Sequence, residues 1–295
     1  MKILITGVYG QLGSELVEIL EGMQSEIGPV PDIYRNAEIV GIDIDTLDIS
    51  KAEDVYAFES KHQEFPFDLI INCAAMTNVD ACETDFEAAL KGNATGPGNI
   101  AGLAQRQGAK LIHISTDYVF DGKADTPYTE WDLPDPATAY GKSKLLGEKY
   151  VSEACKRSFI IRTSWLYGKK GNNFVKTIRK IASENESIKV VYDQVGNPTN
   201  AHDLAYHLLK IGVGEDYGIY HITGNGICSW HEFAREIVRL SDLKCEVIPV
   251  TTEEFPRPAP RPAYSAMDHL MLRATVGDEM RDWKEALASF ILSLY

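Results

Sequence analysis

Short apolar stretches alternate with helical spacings through the first half of the chain. Residues 2–6 read as a buried strand, and 11–20 as a helix with Leu12, Leu16, Val17 and Leu20 on its apolar side. A glycine- and proline-marked break over 22–37 reads as a loop or an extended helix end. Further strands are predicted at 38–42, 67–73, 110–115 and 158–163, with helical patterns around 51–61, 84–107 and 140–154. Continuous apolar strands separated by helices indicate a parallel sheet covered on both faces, with ligands at the carboxyl ends of the strands. The expected fold class is therefore α/β with a doubly wound parallel sheet.

The second half is less regular. Residues 173–182 and 202–211 look helical, 188–191 looks like a strand, and 220–223 is compatible with a return to the main sheet. Amphipathic helices are predicted at 230–240 and 282–294. The segment 253–263 carries four prolines and cannot be helix. It reads as a rigid surface loop or as a wall of a substrate pocket.

A chain of 295 residues suits one large α/β domain or two modest ones. The five cysteines form no C-x-x-C pair, which argues against a disulfide framework or a zinc site and fits a reducing compartment. Each reads as a small core hydrophobe. No signal peptide or membrane-length apolar run is visible, so a soluble, cytoplasmic protein with no membrane partner and no metal is expected. The net charge of −14 disfavours nucleic acid as a partner. An anionic substrate would need a local cluster of positive groups.

Two constellations carry chemistry. Gly7-Val8-Tyr9-Gly10-Gln11-Leu12-Gly13 follows the first strand and opens the first helix. Glycines there let the backbone turn sharply and approach a pyrophosphate, and the helix end supplies free N–H groups. Asp43 closes the second strand, where an acid can bond ribose hydroxyls. Ile44 and Asp45 follow it in place of a basic residue, which favours NADH over NADPH, although Arg35 could fold back. Asp48-Ile49 could line the adenine pocket, and Asp48 could equally cap the following helix.

The second constellation is Tyr140 with Lys144, four residues apart and so on one helical face. A free phenol has a pKa of about 10, and a nearby ammonium favours phenolate and lowers it. The pair can act as a general acid for carbonyl reduction. Thr116 lies at the carboxyl end of its strand, placed to bond a carbonyl or to serve as a turn residue.

Together these residues resemble a known family. The stretches G-V-Y-G-Q-L-G (7–13), N-C-A-A-M-T-N-V-D (72–80), S-T-D-Y-V-F-D-G (115–122), Y-G-K-S-K (140–144), R-T-S-W-L-Y-G (162–168), G-N-P-T (196–199) and R-P-A-Y-S (261–265) are similar to those of the dTDP-4-dehydrorhamnose reductases. These are extended short-chain dehydrogenase/reductases. The resemblance implies a Rossmann domain over 1–166, to which the chain returns around 188–223, and a smaller α/β sugar-nucleotide domain over 167–295. It implies NAD(P)H-dependent reduction of dTDP-6-deoxy-L-lyxo-4-hexulose to dTDP-L-rhamnose, a step of carbohydrate biosynthesis. It places Gly10, Gln11 and Leu12 on the cofactor phosphates and Asp43, Asp48 and Ile49 around the adenosine. Ala75, Met76 and Thr77 line the cofactor path. Thr116, Tyr140 and Lys144 form the catalytic set, and Asp117 and Trp165 lie beside the sugar nucleotide.

Trp165 offers a flat face for a ring, or packs between domains. Arg261, then Arg257, are the choices for the substrate pyrophosphate, or else solvated loop charges. Related dehydratases carry Asp-Glu after the threonine; here Asp117 is followed by Tyr118. A reductase or epimerase of another nucleotide 4-keto sugar remains an alternative. So does a non-catalytic subunit like the one that regulates methionine adenosyltransferase. A homodimer stays open.

Overall fold

The computed structural model describes residues 1–294. Its centre is a parallel sheet built from β1 (Lys2–Thr6), β2 (Glu38–Ile42), β3 (Leu69–Asn72), β4 (Lys110–Thr116), β5 (Ser158–Thr163) and, from much later in the chain, β10 (Gly218–His221). The strand order is β10-β5-β4-β3-β1-β2. Side-chain alternation feeds both faces. Ile3 and Ile5 pack with Leu12, Leu16 and Ile19 of α1 (Gln11–Gly22) and with Leu204 and Leu208 of α8 (Ala201–Val213). Leu4 packs the opposite way, with Val55 of α2 (Ala52–Ser60), Ile100 and Leu103 of α5 (Gly96–Gln107) and Val151 of α6 (Ala139–Ala154). This is the doubly wound arrangement, and it sets Thr6, Asn72 and Thr116 along one carboxyl edge.

The pattern around 84–107 is not one helix. It divides into α3 (Val79–Thr84), α4 (Phe86–Leu90), a π turn over Lys91–Thr95, and α5. Asp85 restarts the helix: its carboxylate accepts the Ala88 N–H at 2.9 Å, while its backbone leaves the helical region. The 22–37 break is a loop with one short turn, pinned by the buried Tyr34 hydroxyl donating to the Leu209 carbonyl at 2.8 Å.

After β5 the chain forms β6 (Leu166–Tyr167), α7 (Phe174–Glu184), β7 (Ser187–Val191), β8 (Val195–Gly196) and β9 (Thr199–Asn200) before α8. Beyond β10 come β11 (Cys228–Ser229), α9 (Trp230–Leu240), β12 (Glu246–Val250), α10 (Leu270–Thr275) and α11 (Trp283–Leu292). The return to the main sheet is narrower than 188–223. β7 pairs with β12 instead, because Ile188 and Val190 bury against Ile237 and Val238 of α9. From the later half, α8 and β10 join the central layers, and Leu272 of α10 packs on the same core. Tyr167, Val175, Phe233, Trp283 and Phe290 share that separate apolar cluster. Tyr295, the end of the expected second domain, lies outside the described residues. All five cysteines are free, and Cys82, Cys155 and Cys228 are buried. Among the described residues, no helix is long and apolar enough to cross a membrane.

Candidate active site

At the glycine turn, Gly7 adopts φ +69°, and a Cβ there would lie 2.9 Å from the Ala74 nitrogen. A Cβ on Gly13 would collide with the Gly7 carbonyl oxygen. The turn closes through the Gly10 N–H donating to the Gly7 carbonyl at 3.1 Å. No side chain caps α1, whose N-cap residue is Gly10. Its first N–H groups thus point outward without an internal acceptor, as a dinucleotide pyrophosphate requires. The Leu12 side chain is in the core, so only its backbone can meet a phosphate. The Gln11 carbonyl Oε1 accepts from Asn173 Nδ2 at 3.0 Å.

Asp43 stands just beyond β2. One carboxylate oxygen accepts the Tyr9 N–H at 3.1 Å and the other the Ile44 N–H at 2.8 Å, which ties the acid to the turn. Arg35 does not reach it; it pairs with Asp32 at 2.7 Å. Asp48 does not cap α2. Its carboxylate accepts from the backbone and hydroxyl of Ser50 at 3.0 and 2.7 Å, and these bonds hold its pKa below the ordinary carboxylate value. Ile49 is buried, and its carbonyl accepts from Asn99 Nδ2 at 2.9 Å.

Ala75, Met76 and Thr77 leave β3 at the same edge. Met76 is held by a residue with no motif signal. Asn93, fully buried in the π turn, accepts the Met76 N–H at 2.8 Å and donates to the Met76 carbonyl at 3.0 Å. It also donates to the Ser143 hydroxyl at 3.0 Å, which donates to the Tyr140 carbonyl at 2.8 Å. One asparagine therefore links the Met76 loop to the helix that carries Tyr140 and Lys144.

That helix, α6, starts at a cap: the Thr138 hydroxyl accepts the Gly141 N–H at 3.0 Å. Tyr140 is 8% exposed, and its phenol meets the Thr116 hydroxyl at the end of β4. The Tyr118 ring packs edge-on, with centroids 5.4 Å apart. Burial raises the phenol pKa well above its usual value, and the Thr116 bond only partly offsets this. The expectation that Lys144 lowers it is not met in the free protein. The buried Lys144 ammonium donates instead to the Ile114 carbonyl at 2.6 Å, and burial pushes its own pKa down to about 8, opposed by Glu148. Glu148, one turn further along α6, accepts the Ser115 hydroxyl at 2.5 Å and Arg162 at 3.0 and 2.8 Å.

Asp117 is 3% exposed. One of its oxygens accepts the Thr116 hydroxyl at 2.8 Å, and burial raises its pKa to about 6. Trp165 takes φ +46°, a strained conformation for a large side chain, and stacks on Trp230 with centroids 3.5 Å apart. One face of its ring is therefore committed to packing. Arg261 is turned toward this region by Asp80, which it meets at 3.0 Å, and its charge bears on Tyr118. Asp80 also accepts the Ala259 N–H at 3.1 Å and so fastens the proline segment beside α3. Arg257 stands apart, exposed above the Phe255 ring at 4.8 Å. The structure thus gathers Thr116, Asp117, Tyr140, Lys144, Trp165 and Arg261 at one edge and leaves Arg257 outside. Asn93, Glu148 and Asp80 escaped the sequence reading. Asp80 alone had a signal, as the last residue of N-C-A-A-M-T-N-V-D.

Known proteins resemble this chain over its whole length. Residues 1–295 match the family model described as the RmlD substrate binding domain. A dTDP-4-dehydrorhamnose reductase of Clostridium acetobutylicum, solved as a crystal structure, is 46% identical, with a TM-score of 0.92 over 100% of this chain and 99% of that one. The Bacillus anthracis dTDP-4-dehydrorhamnose reductase, solved with NADP, is 42% identical, with a TM-score of 0.90 over 99% of each chain. A probable dTDP-4,6-dihydroxy-2-methyloxan-3-one 4-ketoreductase of Streptomyces antibioticus is 39% identical over 97% of this chain and 93% of its own length. The chain belongs to the dTDP-4-dehydrorhamnose reductase family of oxidoreductases.

Proposed function

We propose that this protein reduces the 4-keto group of dTDP-6-deoxy-L-lyxo-4-hexulose to give dTDP-L-rhamnose, using NAD(P)H, with Tyr140 as the proton donor. The observation that carries this reading is the buried Tyr140 phenol against the Thr116 hydroxyl, one helical turn before the buried Lys144. When bound, the nicotinamide supplies hydride to the ketone carbon. Gly10, Gln11 and Leu12 would hold the pyrophosphate through backbone N–H groups, and Asp43 the ribose. Ala75, Met76 and Thr77 would flank the dinucleotide.

A phenol kept neutral by burial resists ionising in the resting protein and gives up its proton when a strongly basic alkoxide forms beside it. Lys144, anchored on Ile114, keeps a positive charge under the site that stabilises the phenolate left behind. Thr116 would orient the carbonyl toward Tyr140 by turning its hydroxyl proton from Asp117 to the carbonyl oxygen. Asp117 and Trp165 face the sugar, and Arg261 the phosphates. The sugar-nucleotide half would be the cluster around Tyr167 and Phe233, with the dinucleotide half built on the main sheet.

Negative charge at Asp43 favours a free ribose over a 2′-phosphate, so Asp43→Ala is expected to weaken NADH more than NADPH in direct titrations. Equal losses would remove Asp43 as the selector. The Streptomyces antibioticus relative, named for a different keto sugar, supports a second reading: a 4-ketoreductase for another dTDP sugar. Product identification by NMR from a panel of nucleotide 4-keto sugars tests both. dTDP-L-rhamnose as the preferred product supports the first, and reduction of a different sugar supports the second. Interconversion without net cofactor oxidation would mean an epimerase. Cofactor binding without any turnover would mean a regulatory subunit.

A further inference from the structure

Two buried polar atoms at the site lack a hydrogen-bond partner among the described residues: Asp117 Oδ2 and Ser265 Oγ. The Ser265 hydroxyl is near enough to act on the Asp117 carboxyl, yet closes no well-formed bond with it. Unpaired atoms of this kind oppose folding, so a native pair of them side by side calls for a reason.

The backbone that carries Ser265 is held in place. Its N–H donates to the Val195 carbonyl at 2.8 Å, and the Val195 N–H donates to the Ala263 carbonyl at 2.9 Å. The next segment is held by the Met267 N–H donating to Asn197 Oδ1 at 2.8 Å. Gly196 keeps the space clear: a Cβ there would lie 2.7 Å from Ser265 Oγ and 2.9 Å from Trp165 Nε1. The Ser265 hydroxyl and the Trp165 indole thus share one small polar corner. Asp117 lies within reach of the same hydroxyl, its Oδ1 already accepting from Thr116.

We infer that Ser265 is a substrate-positioning residue, which together with Asp117 grips the sugar hydroxyl on the carbon next to the ketone. A hydroxyl donates once and accepts as well. It would donate to Asp117 Oδ2 and accept from Ser265 Oγ, satisfying both lone atoms. Thr116, whose single hydroxyl proton would turn from this carboxylate to the carbonyl, is adjacent to both, so the gripped hydroxyl is vicinal. In a 6-deoxy-4-keto sugar, carbon 5 bears only the methyl group, which leaves the hydroxyl of carbon 3. This inference rests on the proposed function and deepens it.

The test is calorimetric binding of dTDP-L-rhamnose and its 3-deoxy analogue to the wild-type protein, Ser265→Ala and Ser265→Thr. Wild type should prefer the hydroxylated ligand. Ser265→Ala should bind dTDP-L-rhamnose about tenfold more weakly and the 3-deoxy analogue unchanged, the scale of one lost hydrogen bond. Ser265→Thr, which keeps a hydroxyl, should retain most of the preference. A wild type that binds both ligands equally, or a Ser265→Ala protein that keeps the full preference, overturns the inference and leaves the functional reading intact. Equal weakening of both ligands by Ser265→Ala makes the residue structural and also overturns it. Failure of the wild type to bind either ligand removes the functional reading, and this inference with it.

Discussion

Asp117 and Lys144 are each displaced toward neutrality by burial, from opposite sides. The Lys144 ammonium is lost as pH rises through about 8, and the Asp117 carboxylate as pH falls through about 6. If turnover needs both charged forms, kcat/KM, which reports the free protein, should decline above about pH 8 and below about pH 6. A flat profile across both limits would mean that neither charge matters. Asp117 also carries a stability consequence. Its folded pKa lies above the unfolded value, so the charged form burdens the native state at neutral pH, and the burden fades as pH falls toward the unfolded pKa. Asp117→Asn should therefore stabilise the fold at pH 7 by on the order of 1–3 kcal/mol, with the gain vanishing below about pH 4. Urea unfolding at the two pH values checks this; a destabilised variant at neutral pH would contradict it. Tyr140 shows why spacing alone misleads about such values. The four-residue spacing to Lys144 was visible, but the phenol's burial, which raises its pKa, is a property of the folded environment.

At the scale of elements, the glycine turn and α1 act as one unit. Gly13→Ala places a methyl group against the Gly7 carbonyl and must push the turn open. Dinucleotide affinity is expected to drop by about tenfold or more, while far-ultraviolet circular dichroism stays unchanged, since the collision is local and the core faces of α1 remain. Unaltered affinity would show that this turn does not cradle the phosphates. Strand-turn-helix order made this element readable, because strand period, glycine positions and helix period all agree there. The region 84–107 was harder. Its apolar spacing is nearly continuous, yet Asp85 ends one helix and starts another, and the π turn swings Asn93 inward to Met76 and Ser143. Partners 17 and 50 positions away leave no periodic trace. A buried asparagine looks the same in sequence as an exposed one. Ser265 is of the same kind: its motif was recognised, but what its hydroxyl faces was not.

For the whole molecule, the parallel sheet was legible because β1 and β3 to β5 carry apolar runs and lie largely buried between helices on both faces. β10 was only suggested, since an edge strand of four residues has little pattern to show. The pairing of β7 with β12 could not be read, because their partnership spans the intervening α8, β10 and α9. That long excursion brings Ser265 and Arg261 back to the edge where Thr116, Tyr140 and Trp165 stand, and the site is assembled from segments more than a hundred residues apart. The central claim is that this edge reduces a 4-keto sugar with Tyr140 as its acid. It is tested most directly by the single-turnover rate of NADH or NADPH oxidation with dTDP-6-deoxy-L-lyxo-4-hexulose, wild type against Tyr140→Phe. Wild type should oxidise the cofactor and yield dTDP-L-rhamnose, and Tyr140→Phe should bind the dinucleotide almost as well yet react about 10²–10⁴-fold more slowly. No oxidation by wild type with either cofactor, or a near-wild-type rate in the variant, would contradict it.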